Sequence, residues 1–158
     1  MALIDQENPH DNWFETLGQW NRISNWIHYG TSDLELKSQL KTMAIFLWNE
    51  KDWLIAQYPS KKKEIEHRIS ESCSLCVVGD LANTAKRRRL SRKARSNAAQ
   101  TDFFGRVTVN QGPERRLYFI RLGNGQCEEV MSILHKALDE LSTLRHSLMS
   151  DLRNEDQE

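Results

Sequence analysis

Residues 31–58 read TSDLELKSQLKTMAIFLWNEKDWLIAQY. Leu36, Leu40, Met43, Leu47 and Leu54 recur at helical spacing, and the middle of the stretch, MAIFLW, is apolar on every side. A helix apolar all round is contacted from several directions, so this segment is expected to be the central helix of a bundle. Thr31, Ser32 and Asp33 offer N-cap side chains at its start, and Pro59 stops it after Tyr58.

Upstream, Trp13, Leu17, Trp20, Ile23 and Ile27 form an apolar stripe that predicts a helix from Asp11 to Tyr29, with Asp11 or Asn12 as cap and Gly30 as stop. Trp13, Trp20, Trp48 and Trp53 fall on inward faces of these two helices and read as core; Trp26 is less clearly placed. Downstream, Ile65, Ile69, Cys73 and Cys76 continue a third helical region from Ser60 to Leu90, with a break expected near Gly79. SRKARSNAAQ, residues 91–100, lacks large apolar residues and reads as a basic loop. FFGRVTV and LYFIRL then predict a β-hairpin over 103–122, connected through Gly112 and Pro113. Gly123, Asn124 and Gly125 supply a further turn. Val130, Leu134, Ala137, Leu141, Leu144 and Leu148 form a heptad-like seam along a last helix from Glu128 to about Arg153. The expectation is a mainly α chain: a bundle of four to five helices with one β-hairpin inserted before the C-terminal helix. Residues 11–153 form a single domain in this reading, between a flexible 1–10 and a frayed 154–158.

The 158 residues are 39% hydrophobic and 28% charged, with seven glycines and three prolines, which is globular composition. The longest apolar run, Met43 to Trp48, is far shorter than the roughly 20 residues that span a bilayer, so no membrane role is expected. MALIDQENPHDN has neither a basic start nor an apolar stretch, and three cysteines suit a reducing compartment, so a cytoplasmic chain is expected. Helix–strand alternation, a G-x-G-x-x-G fingerprint and a Walker loop are all missing, which argues against a doubly wound nucleotide-binding fold. No cofactor motif is present.

Zero net charge conceals a division. Residues 86–121 hold eleven basic side chains against Asp102 and Glu114, while the remainder of the chain is correspondingly acidic. KRRRLSRKAR, residues 86–95, has seven basic residues in ten. Clustered arginine and lysine match phosphate backbones and release counterions on binding. Lys86, Arg87, Arg88, Arg89, Arg92, Lys93 and Arg95, with Arg106 and Arg116 on the hairpin, are therefore the candidate nucleic-acid-binding residues. Strand alternation is expected to separate the hairpin arginines from its aromatics. A nucleic acid is the first choice of anionic partner, an acidic protein the second and a nucleotide the third.

Just before the basic run stands Gly79-Asp80-Leu81-Ala82-Asn83-Thr84-Ala85-Lys86-Arg87. On a helix, Asp80, Asn83 and Arg87 share a face, and polar residues so placed need partners. Asp52, on the Lys51-Asp52-Trp53 step, is the candidate partner in a packing network; the alternative is a polar pocket with Asp80, Asn83 and Lys86 facing a ligand. The pairing of Lys51-Asp52-Trp53-Leu54 with Gly79–Lys86 resembles a group of small bacterial helical proteins that carry Asp-Leu-Ala-Asn-x-x-Lys-His before a basic loop and a hairpin. The resemblance covers roughly residues 40–145 and implies a bacterial cytoplasmic helical protein without supplying an activity. Arg87 stands where that pattern has histidine, so no histidine chemistry carries over.

Arg22 and His28 have the Arg-x5-His spacing of helical ribonucleases of the HEPN type, in which arginine stabilises a phosphorane and histidine moves protons. Ile23, though, follows the arginine where those motifs favour a polar residue. Cys73-Ser74-Leu75-Cys76 is a lone C-x-x-C; with only Cys127 and His67 to complete a zinc site, it reads as two small buried cysteines inside a helix, and no metal site is assigned. The leading expectation is a non-enzymatic binding or regulatory module for a polyanion. The alternatives are a metal-independent HEPN-type ribonuclease or toxin of a bacterial defence system, with Arg22 and His28 catalytic, and an interaction subunit that forms a homo-oligomer or takes a partner helix on the Val130–Leu148 seam.

Overall fold

The computed structural model describes residues 10–25, 31–87, 105–109, 115–122 and 125–157. Its elements are α1 (Asp11–Ser24), α2 (Asp33–Gln57), a 3-10 turn (Pro59–Lys61), α3 (Lys62–Glu71), α4 (Cys73–Arg87), β1 (Gly105–Val109), β2 (Arg115–Arg121), β3 (Cys127–Glu129) and α5 (Val130–Glu155). The protein is mainly helical, with an antiparallel hairpin before the last helix. No helix among the described residues is long and apolar enough to cross a membrane.

α2 is the hub. It packs against α1, α3, α4 and α5, as its all-round apolar middle requires. Ser32 caps it, its side chain accepting from the Glu35 amide at 3.2 Å. Met43, Ala44, Leu47 and Leu54 meet Ile65, Val78, Leu81, Leu134 and Leu141 in one buried core. At the crossing of α2 and α4 the Trp48 indole lies so close to the Gly79 backbone that a β-carbon on Gly79 would sit 2.8 Å from Cζ3 of Trp48. Lys51 lies over the Trp48 ring, 4.3 Å from its centroid, and Trp48 is buried. Gly79→Val is expected to cost about 1–3 kcal/mol through overpacking, read from the urea midpoint. Trp48→Leu in the same chain should make the pair cost less than the sum of its parts; strict additivity would disprove the contact's role.

The structure corrects several boundaries. The third helical region breaks at Ser72, not at Gly79, because the Ser72 hydroxyl accepts from the Leu75 amide at 3.1 Å and starts a new helix there. Helix α1 ends at Ser24, and 26–30, including Trp26, Ile27 and His28, lie outside the described residues. Neither Asp11 nor Asn12 caps α1; the cap position is His10, without a side-chain bond. The face α1 buries is Asn12, Thr16, Gln19 and Ile23, while Trp13, Leu17 and Trp20 are half-buried flanks. The polar stripe is accommodated because Gln19 donates across to α2, to the Gln39 carbonyl at 3.0 Å and to its side chain at 2.9 Å, while Thr16 donates within α1 to the Asn12 carbonyl at 2.7 Å.

The hairpin is part of a three-stranded sheet in the order β1-β2-β3, with Val107 opposite Leu117 and Phe119 opposite Glu129. Gly125, at φ +85°, makes the β2–β3 turn in a conformation that favours glycine. Glu129 leaves β3 and caps α5, accepting from the Met131 and Ser132 amides at 2.8 and 2.7 Å. All six seam residues of α5, from Val130 to Leu148, are buried in the chain's own core. The seam is therefore not a surface for a second copy or a partner helix.

Candidate functional site

The basic segment is held at both ends by the packed body. On one side α4 carries Lys86 and Arg87 in its last turn; on the other, β1 carries Arg106 and β2 carries Arg115, Arg116 and Arg121. Arg88, Arg89, Arg92, Lys93 and Arg95 lie outside the described residues. Asp80 is 2% exposed and belongs to the interior of α4, and Asn83 is half-buried one turn on. Asp52 is solvent-exposed on α2 and does not join them, which corrects the expected three-residue network. On α2, Trp48 meets this part of α4 through Gly79.

Arg116 is not a surface cation. Arg116, Tyr118 and Ile120 alternate onto the same face of β2, which is turned toward the body. Arginine and aromatic thus share a face there instead of separating. The Arg116 side chain, 9% exposed, donates from Nη1 to Oδ1 of Asp33 at 3.1 Å and from Nη2 to the Thr31 carbonyl. The Tyr118 hydroxyl donates to the same Asp33 oxygen at 2.6 Å. Asp33 at the first turn of α2 therefore anchors the hairpin, a favourable place for a carboxylate at a helix N-terminus. Asp33→Ala should cost about 1.5–3 kcal/mol, as for hydrogen bonds to charged groups, and speed amide exchange in β2 before it does so in α2. Exchange that rises equally in both would contradict a local anchor.

Arg22 is exposed on α1, donates to Oε1 of Gln19 at 3.1 Å, and lines a groove of about 520 Å³ with Asp11, Phe14, Glu15, Thr42 and Phe46. Its proposed catalytic partner His28 lies outside the described residues. Among the described residues no group of three or more His, Cys, Asp or Glu side chains is placed to hold a metal ion.

A charged cluster that the sequence did not single out lies where α1, α2 and α5 meet. Glu50 is 1% exposed and Arg145 is 7% exposed. Arg145 Nη1 donates to Oε1 of Glu50 at 2.5 Å, and Asn12 Nδ2 donates to Oε2 at 2.7 Å and to the Phe46 carbonyl at 3.2 Å. Arg145 Nη2 is 2.9 Å from Nδ1 of His10, which accepts because a guanidinium only donates. The guanidinium also lies 4.7 Å from the centroid of the Trp13 ring. Burial pushes the Glu50 carboxyl above its ordinary range, against the opposing pull of Asn12, Arg145 and His10. The cluster is closed by its own members, so it reads as a fastening of three helices. Asn12 with Thr16 and Gln19 at spacings of four and three was the one available signal in the sequence for a polar buried face.

The cysteines also differ from expectation. Cys73 is exposed at the first residue of α4, whereas Cys76 is buried one turn on, its thiol 3.7 Å from the Ile69 carbonyl and 3.5 Å from that of Ser70. Cys127 is exposed on β3. Compared with protein-family models, curated proteins and solved structures, the chain finds no significant match.

Proposed function

We propose that the protein is a binding or regulatory module for a polyanion, with nucleic acid the first choice, acting through the basic segment between Lys86 and Arg121. The observation that carries this reading is the division of charge: eleven basic residues against two acidic within 36, in a chain whose net charge is zero. Such a segment presents a local positive field whatever the total charge. Its attachment to α4 on one side and β1 on the other supports the reading, because phosphate contacts on a tethered segment lose less entropy than on a free tail. Arg116 leaves the contact set, since its side chain is buried and its Nη1 and Nη2 donate to Asp33 and Thr31. Lys86, Arg87, Arg88, Arg89, Arg92, Lys93, Arg95 and Arg106 remain in it. Asp80, buried in α4, orients the helix that leads into the segment.

Contacts to phosphates alone are weakly sequence-selective and strongly salt-dependent. The test is a salt titration of binding to labelled single- and double-stranded RNA and DNA, with each sample also run for strand cleavage. Binding that falls steeply with salt and leaves the strands intact is the expected result. Absence of binding at low salt overturns the proposal. Cleavage that disappears in His28→Ala replaces it with the ribonuclease reading.

A further inference from the structure

We propose that Cys73 and Cys76 form a reversible dithiol–disulfide site at the start of α4, with Cys73 the attacking thiol and Cys76 the resolving one. Two residues three positions apart in an α-helical turn have Cα atoms about 5 Å apart, within the roughly 4.4–6.8 Å that a disulfide spans. The break at Ser72 places this turn at the N-terminal end of α4, with Cys73 open to solvent and Cys76 behind it. That division of labour suits thiol exchange: the exposed sulfur meets the reagent, and the buried one is shielded from it, its thiol against the Ile69 and Ser70 carbonyls. Cys127, exposed on the sheet, is the internal comparison for a thiol outside such a setting.

The co-reactant is a small-molecule disulfide such as oxidised glutathione. The Cys73 thiolate attacks one of its sulfurs, the S–S bond of the reagent breaks, and one small thiolate leaves. Cys76 then releases its proton to solvent and its sulfur attacks that of Cys73, expelling the second small thiolate. The protein loses two protons and two electrons, and the reagent is reduced to two thiols. In the reduced protein the Cys76 thiol faces the Ile69 and Ser70 carbonyls at the end of α3. A disulfide sulfur has no proton to give, so oxidation removes that donor and loosens the α3–α4 junction. The site thereby becomes a redox-dependent joint in the helix pair leading to the basic segment.

The full chain, reduced, is equilibrated in glutathione buffers of stepped oxidation, acid-quenched, alkylated under denaturing conditions and mapped by peptide mass. The peptide holding both cysteines is expected to become two hydrogens lighter and refuse the alkylating label, while Cys127 carries glutathione or label. Cys76→Ser should trap glutathione on Cys73, and Cys73→Ser should leave Cys76 free of it. Amide exchange near Ile69–Ser72 should quicken in the oxidised form. Glutathione accumulating on wild-type Cys73 as it does on Cys127, with Cys76 still taking label, would overturn the proposal, as would no reaction of Cys73 at any ratio.

Discussion

Glu50→Ala should destabilise the protein by about 3–5 kcal/mol, the range found when one partner of a buried ion pair is removed. At roughly 2–4 °C per kcal/mol for a chain of this size, the melting temperature should fall by about 6–20 °C. The loss is large because Arg145 stays behind. Its guanidinium is buried against α1 and α2, and without the carboxylate it keeps, among the described residues, His10 Nδ1 and the Trp13 ring. Asn12 also loses its acceptor at 2.7 Å. Glu50→Gln preserves shape and one acceptor, so it should cost less, and it isolates the proton linkage. Burial raises the Glu50 carboxyl above its ordinary 4.5, outweighing the donors that lower it. A carboxyl raised in the folded state contributes most when protonated in both states, below about pH 4.5, and that contribution is lost as pH rises through the folded value. The stability of the wild type relative to Glu50→Gln should therefore shrink as pH rises from 4.5, as read from denaturant midpoints at stepped pH. A difference that grows with pH would show that the arginine, not burial, governs this carboxyl.

Reversing Arg88, Arg89 and Arg92 to glutamate should lower the log–log salt slope of duplex DNA binding by about three, since each phosphate contact adds roughly 0.9. These residues sit in the densest part of KRRRLSRKAR, and reversal adds repulsion to the lost contacts. Arg116→Gln is the matched control. It removes a cation from the same 36-residue segment, but one already committed to Asp33 and Thr31. It should leave the salt slope unchanged and lower stability instead. An unchanged slope in the triple reversal would end the polyanion reading, and a slope lowered by Arg116→Gln would place that arginine on the nucleic acid after all.

The contrast between Arg116 and its basic neighbours shows how sequence and structure divide the information. Charge density along the chain is a one-dimensional property, so the basic segment was legible at once. Whether a given arginine faces solvent depends on strand alternation and on what lies above the sheet, and Asp33 is far from Arg116 in sequence. Asp80 was singled out as a polar residue needing a partner and is buried, but its expected companion Asp52 is exposed. Gly79 marked the wrong event: it permits a helix crossing, and Ser72 makes the break. The C-x-x-C was visible, yet its split into one exposed and one buried thiol follows from that displaced break.

By itself the sequence determined the central helix, the hairpin before the last helix and the charge division, because periodicity and composition act locally. Only the tertiary structure decided that α1 buries Asn12, Thr16 and Gln19, that Glu50 and Arg145 close on each other, and that the leucine seam of α5 is spent inside the chain. Burial of polar and charged groups depends on partners brought together from distant segments. Glu50 and Arg145 are 95 positions apart, and a buried charge is tolerated only where such a partner arrives.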